Sequence, residues 1–119
     1  MQLHWTKQLP LTKSGIAKIK DGVAGIYRLI YYNTQEEKHL IYYVGQAENL
    51  NIRLGQHLSE AETNECCQSY INNYNCYFRA AAVLQQTDRN GAEVELYHHF
   101  EPICIDQIPS VQPLEINFE

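Results

Sequence analysis

Glu93, Arg53, His57, Tyr27 and Tyr43 are the side chains of this 119-residue sequence whose type and spacing bear chemistry. On a helix turning about 100° per residue, Ala92, Leu96, Tyr97 and Phe100 all fall within about 100° of Glu93. This carboxylate therefore stands inside its own helix's apolar stripe, while Glu95 points to water. An isolated buried charge costs many kcal/mol, so a carboxylate facing a core must be paired, protonated or bound to a metal. Spacing alone leaves two readings open, a structural ion pair and a metal or acid–base role.

Arg53 and His57 are four residues apart and share a helix face. They border a stripe made by Leu50, Leu54 and Leu58, from which both heads reach a cleft while their stems pack. An ordinary polar boundary is the plainer reading. Tyrosine is used heavily, nine times in all. Alternate positions on adjacent strands face one side, so Tyr27 and Tyr43 can converge on one face; taken alone, both read as packed core phenols.

The elements that carry these residues follow from pattern. Gly22 and Gly25 bracket the entry to Ile26–Tyr32, a run of strand formers. Asn33–Lys38 is turn-like, and Leu40–Val44 is a second strand stopped by Gly45, which predicts an antiparallel hairpin. A helix follows with its leucines every fourth residue, opened by Asn49 or Asn51. Gly55 within it costs about 1 kcal/mol against alanine. A second helical piece is expected over Thr63–Asn72, and a third strand over Cys76–Leu84. Thr87 or Asp88 then caps a last helix through His99, ending before Pro102. Trp5–Lys20 reads as an arm with a helical turn around Ser14–Lys20, and the stretch with Pro109 and Pro113 as extended. The expected fold class is α+β, a small three-stranded, mostly antiparallel sheet flanked by helices.

Length fits one domain, and the longest apolar runs are far below the ~20 residues of a membrane span. No apolar signal core is found near the start, so a cytoplasmic rather than a secreted protein is expected, with no membrane partner. Net charge is −5, unevenly placed. Residues 1–30 carry five basic side chains against one acid, and residues 31–119 carry four against thirteen. A duplex-coating protein would be strongly basic; any nucleic-acid contact must here be local, through the basic first stretch or with a partner's help. Solvated surface is the alternative for those lysines. Cys66, Cys67, Cys76 and Cys104 lack zinc-finger spacing and read as reduced thiols.

Taken together, Gly25-Ile26-Tyr27, Tyr43-Val44-Gly45 and the run Gln46 to Leu54 resemble the GIY-YIG nuclease superfamily. Arg53 stands ten residues past Tyr43, His57 four further on, and Glu93 nine before Pro102. Five elements in order span Gly25 to Pro102, about two-thirds of the chain. Departures are Gln46, where some members carry lysine, the sequence Ile103-Cys104-Ile105 where many have asparagine after the proline, and a longer loop between the motifs. The resemblance implies three parts: a basic arm (1–22), a GIY-YIG-like nuclease domain (23–105) and an extended tail (106–119).

It further implies hydrolysis of DNA phosphodiester bonds by a divalent-metal-dependent endonuclease. Glu93 would hold a single Mg2+ or Mn2+, because a hard cation accepts carboxylate oxygen and keeps most of its waters. Arg53 would grip phosphate in two-pronged fashion. Tyr27 or Tyr43 would serve as general base, helped by nearby positive charge, and His57 would shuttle a proton or hold phosphate. Gly45, Gln46, Lys13, Lys18 and Lys20 are the expected substrate contacts. The expected partner is DNA, duplex or branched, with a possible protein partner that supplies specificity. Two other readings compete. One is a GIY-YIG-fold module that binds nucleic acid or a protein but cleaves poorly, and the acidic balance favours it. The other is a zinc-binding regulator built on the cysteines and His98-His99.

Overall fold

The computed structural model describes residues 1–59 and 64–118. Strands β2 (Gly25–Asn33) and β3 (Lys38–Ala47) form the expected antiparallel hairpin. Its turn is closed by Asn33, whose Oδ1 accepts from the backbone N–H of Gln35 and Glu36, the side-chain mimic of a backbone turn. In the register Tyr27 faces Gly45 and Leu29 faces Tyr43, and then the pairing shifts so that Ile30 faces Ile41. Tyr42 is thus the extra residue of a bulge, and both Tyr42 and Tyr43 turn into the same core.

Strand β4 (Cys76–Ala82) pairs with β2, and a two-residue strand, β1 (Leu9–Pro10), pairs with β4. The sheet therefore has four strands, in the order β1-β4-β2-β3, rather than three, and every pairing is antiparallel. The added strand comes from the arm. Leu9 is buried, and Thr6 exchanges bonds with Ala80, its N–H donating to the carbonyl and its hydroxyl accepting from the N–H. This covers an edge of β4 that would otherwise expose unpaired backbone groups.

Helix α1 is a single turn (Lys13–Ile16), shorter than expected. Helix α2 (Leu50–Leu58) is capped by Asn49, whose side chain accepts from the Ile52 N–H. Helix α3 (Glu65–Asn73) is capped by Asn64; the start expected at Thr63 lies outside the described residues. Helix α4 (Gln86–Phe100) begins after Gln85, whose side chain makes no capping bond, so neither Thr87 nor Asp88 is the cap. It closes at Glu101, left-handed at φ 47°, immediately before Pro102.

Helices α2 and α3 cover one face of the sheet, over Tyr27, Leu29, Tyr43 and Phe78. Helix α4 covers the other, over Ile26, Val44 and Ala81. The last residues return across α4, where the Leu114 N–H donates to the Gly91 carbonyl, and they meet the arm, where Trp5 Nε1–H donates to the Asn117 carbonyl. Trp5 and Phe100 flank the guanidinium of Arg28.

A disulfide joins Cys66 of α3 to Cys104, just beyond α4, while Cys67 and Cys76 are in no disulfide. This corrects the expectation of reduced thiols throughout and removes two of the four cysteines from any zinc site. Among the described residues no helix is long and apolar enough to cross a membrane.

Candidate active site

Gly45 lies on the edge strand β3 against the side chain of Tyr27. Tyr27, Gly45's partner in the hairpin register, is fully buried, and its Oη lies 2.8 Å from His57 Nε2. The imidazole reaches the phenol from the third turn of α2, buried on that helix's leucine stripe. Burial, then the neighbouring Tyr43, raises the Tyr27 phenol well above its ordinary range. The phenol consequently keeps its proton, and the imidazole tautomer decides which of the two groups donates in this bond. Tyr43 packs beside both groups, its ring centroid 6.2 Å from Tyr27 and 5.3 Å from His57.

Tyr43 has a partner that the sequence did not suggest. Its Oη donates to Asp106 Oδ2 at 3.3 Å. Burial, and then the Asp106 charge, raise the Tyr43 phenol, while Arg53 acts in the opposite sense on both tyrosines. Arg53 is half-buried on α2, one turn before His57, and bonds to Tyr43. The Arg53 charge thus offsets part of the rise that burial imposes on both phenols.

Glu93 is 6% exposed. Burial pushes its carboxyl up to about 7, the Gln46 amide partly offsets this by hydrogen bonding to it, and Asp106 adds to the rise. Gln46 also donates to Asn90 Oδ1 and accepts from Gln86 Nε2. Asn90 and Gln86 stand three and seven residues before Glu93, on the same face of α4, so helical spacing was a signal for both. No basic side chain pairs with Glu93 among the described residues, which leaves the ion-pair reading without its cation.

No family model matches the chain, and no curated protein does. Its structure is similar to solved structures of the N-terminal GIY-YIG endonuclease domain of UvrC from Thermotoga maritima, point mutants bound to the catalytic divalent cation of that domain. Two of them, at 18% and 17% identity and a TM-score of 0.57, cover 81% of this chain and 100% of theirs. A third, at 19% identity and a TM-score of 0.55, covers 77% and 97%. The fold is that of a GIY-YIG domain.

Within the GIY-YIG fold the structure brings together Tyr27, Tyr43, Arg53 and His57, with Glu93 near enough that its charge acts on Tyr27. Gly45 and Gln46 lie on β3, Gly45 opposite Tyr27 and Gln46 bonded to Asn90 and Gln86 of α4. Lys13, Lys18 and Lys20 are exposed at α1 and just beyond it, and among the described residues none is bonded to the tyrosines. Lys18 and Lys20 flank a depression with Val23, Leu50 and Ala82. Lys13 lines a separate groove of ≈ 470 Å³ between α1 and α2.

The residues fit a hard divalent cation. Glu93 offers a buried carboxylate with no counter-charge among the described residues, and one or two carboxylates suffice for an ion that retains its waters. Among the described residues no group of three His, Cys, Asp or Glu side chains is placed to hold a metal.

Proposed function

We propose that this chain is a divalent-metal-dependent endonuclease that hydrolyses phosphodiester bonds in DNA. The observation that carries this reading is Glu93, a carboxylate buried with no cation beside it among the described residues, on the same GIY-YIG fold that holds two phenols, an arginine and a histidine together.

Each residue has a role in the reaction. Glu93 would hold one Mg2+ or Mn2+. When bound, such an ion neutralises charge on the phosphate and steadies the leaving oxygen. Arg53 presents a guanidinium to the non-bridging oxygens, where developing charge is best met by preorganised donors. A motif tyrosine takes the proton of the attacking water. Tyr27 can pass its own proton to His57 Nε2, 2.8 Å away. Gln46, held by Gln86 and Asn90, steadies the Glu93 carboxylate.

The excess of acids over residues 31–119 favours a second reading, a module that binds nucleic acid or a protein partner and cleaves poorly. Incubating the protein with supercoiled plasmid and with branched DNA, in Mg2+, Mn2+ or EDTA, separates the two. Metal-dependent cutting that Glu93→Ala abolishes supports the nuclease. Binding of either DNA without cutting supports the module.

A further inference from the structure

We infer that Asp106 is the positioning residue for Tyr43 and the acceptor of its phenolic proton. The inference rests on the nuclease reading above and adds a residue outside the motif elements that suggested it.

The geometry is specific. Tyr43 is 4% exposed, and its Oη donates to Asp106 Oδ2 at 3.3 Å. The other carboxylate oxygen accepts from the Gln107 N–H at 2.8 Å, and the Asp106 N–H donates to Tyr97 Oη at 3.2 Å. Two residues earlier the Cys104 N–H donates to the Tyr42 carbonyl, and Cys104 is bonded to Cys66 of α3. The segment beyond α4 is therefore tied to β3 and α3 through Cys104, two residues before this carboxylate, and to α4 through the Asp106 N–H. Asp106 is itself exposed, so it joins a buried phenol to solvent. Tyr27 differs, because its partner His57 is buried with it.

Charged and titratable groups surround the pair from three helices. Arg53 and His57 approach Tyr43 from α2, Glu93 and Tyr97 approach Asp106 from α4, and Cys67 lies on α3. Arg53 is the cation among them, and it favours negative charge on the Tyr43 oxygen. As the attacking water gives a proton to Tyr43 Oη, the phenolic proton moves to Asp106 Oδ2. The water oxygen bonds phosphorus, the ester P–O bond breaks, the departing oxygen takes a proton from solvent, and Asp106 returns its own to solvent. Asparagine at 106 keeps an oxygen that accepts the Tyr43 hydrogen bond but cannot take the proton.

The test compares the wild-type protein with Asp106→Asn and Asp106→Ala. Single-turnover cleavage in saturating Mn2+ is followed across pH, and the NMR signal of the Tyr43 hydroxyl and ring Cζ is followed in metal-free protein. Asp106→Asn is expected to keep the Tyr43 signal near its wild-type position, to bind Mn2+ as tightly, and to cleave roughly 100-fold more slowly. Asp106→Ala is expected to move the Tyr43 signal as well. Wild-type cleavage by Asp106→Asn would overturn the inference. So would an unmoved Tyr43 signal in Asp106→Ala, or Mn2+ binding tenfold weaker in Asp106→Asn. If no variant and no wild-type sample cuts DNA, the nuclease reading fails, and the Tyr43 signal in Asp106→Ala still decides the positioning.

Discussion

Gly45 lacks a side chain at the point where Tyr27 needs its space. A Cβ on Gly45 would lie 2.6 Å from Tyr27 Oη and 2.8 Å from its Cζ. The third residue of the second motif is thus a steric requirement of the last residue of the first, imposed across the hairpin by their direct register.

Gly45→Ala is accordingly expected to destabilise the fold by about 1–3 kcal/mol, the usual cost of overpacking, and to part Tyr27 from His57. Tyr27→Phe is expected to cost about 1–3 kcal/mol by removing a buried hydrogen-bond partner. In the double variant part of the clash is gone, so the two costs should sum to less than their parts. Urea denaturation of the four proteins measures this, and simple additivity would show that Gly45 does not act through Tyr27.

Glu93 predicts a stability that runs opposite to the behaviour of most carboxylates. Its folded pKa of about 7 lies above the ordinary value of 4.5. Between these values the folded chain binds more protons than the unfolded one, so stability from this group is greatest at low pH and is lost as pH rises to about 7. In EDTA at pH 8, Glu93→Gln should be more stable than the wild type by on the order of 1–3 kcal/mol. Mn2+ should raise the wild-type Tm and leave that of the variant unchanged. Thermal denaturation with and without metal checks both, and a variant less stable than the wild type in EDTA at pH 8 would refute the account.

What the sequence disclosed and what it hid divide along the range of the interactions. The hairpin was legible because aromatic and β-branched runs flank a polar turn, and Glu93 because a charge on a core stripe breaks the helical pattern. The convergence of Tyr27 and Tyr43 followed from strand alternation. Strand β1 was hidden because two residues ending in Pro10 carry no strand signal. The Tyr42 bulge lay inside a uniform run of apolar residues. The pairing of Cys66 with Cys104 cannot be deduced from spacing. Asp106 was hidden for a related reason, since it reaches Tyr43 only because α4 ends before Pro102 and the chain turns back, a tertiary event with no local pattern.

Lys13, Lys18 and Lys20 are exposed, and they lie in the basic stretch of an otherwise acidic chain. Lys18 and Lys20 flank the end of the sheet where β2 begins, shortly before Tyr27 in the chain. If they meet phosphate, replacing all three by alanine should weaken DNA binding and lower the salt slope by roughly 1 for each lysine that neutralises a phosphate. Single-turnover cutting of bound DNA should be unchanged, because none of the three touches the tyrosines. Fluorescence anisotropy over a range of salt concentrations reads the slope, and an unaltered slope would assign these lysines to solvated surface.

The Cys66–Cys104 disulfide ties α3 to the segment that carries Asp106, across a sequence separation of 38. Closing a loop of that length restricts the unfolded chain, an effect worth about 4 kcal/mol on the chain-entropy account. Reduction should therefore lower Tm by on the order of 10 °C. It should also slow cleavage, since among the described residues the Cys104–Tyr42 backbone bond and the Asp106–Tyr97 bond are then left to hold Asp106 beside Tyr43. The variant with serine at both 66 and 104 should show the same losses without reductant and gain none with it. Serine at both 67 and 76 should leave the response to reductant intact. Denaturation and cleavage assays on protein whose thiols have been counted by mass spectrometry supply the check, and a fully reduced wild type with unaltered Tm and rate would show that the disulfide supports neither the fold nor the carboxylate.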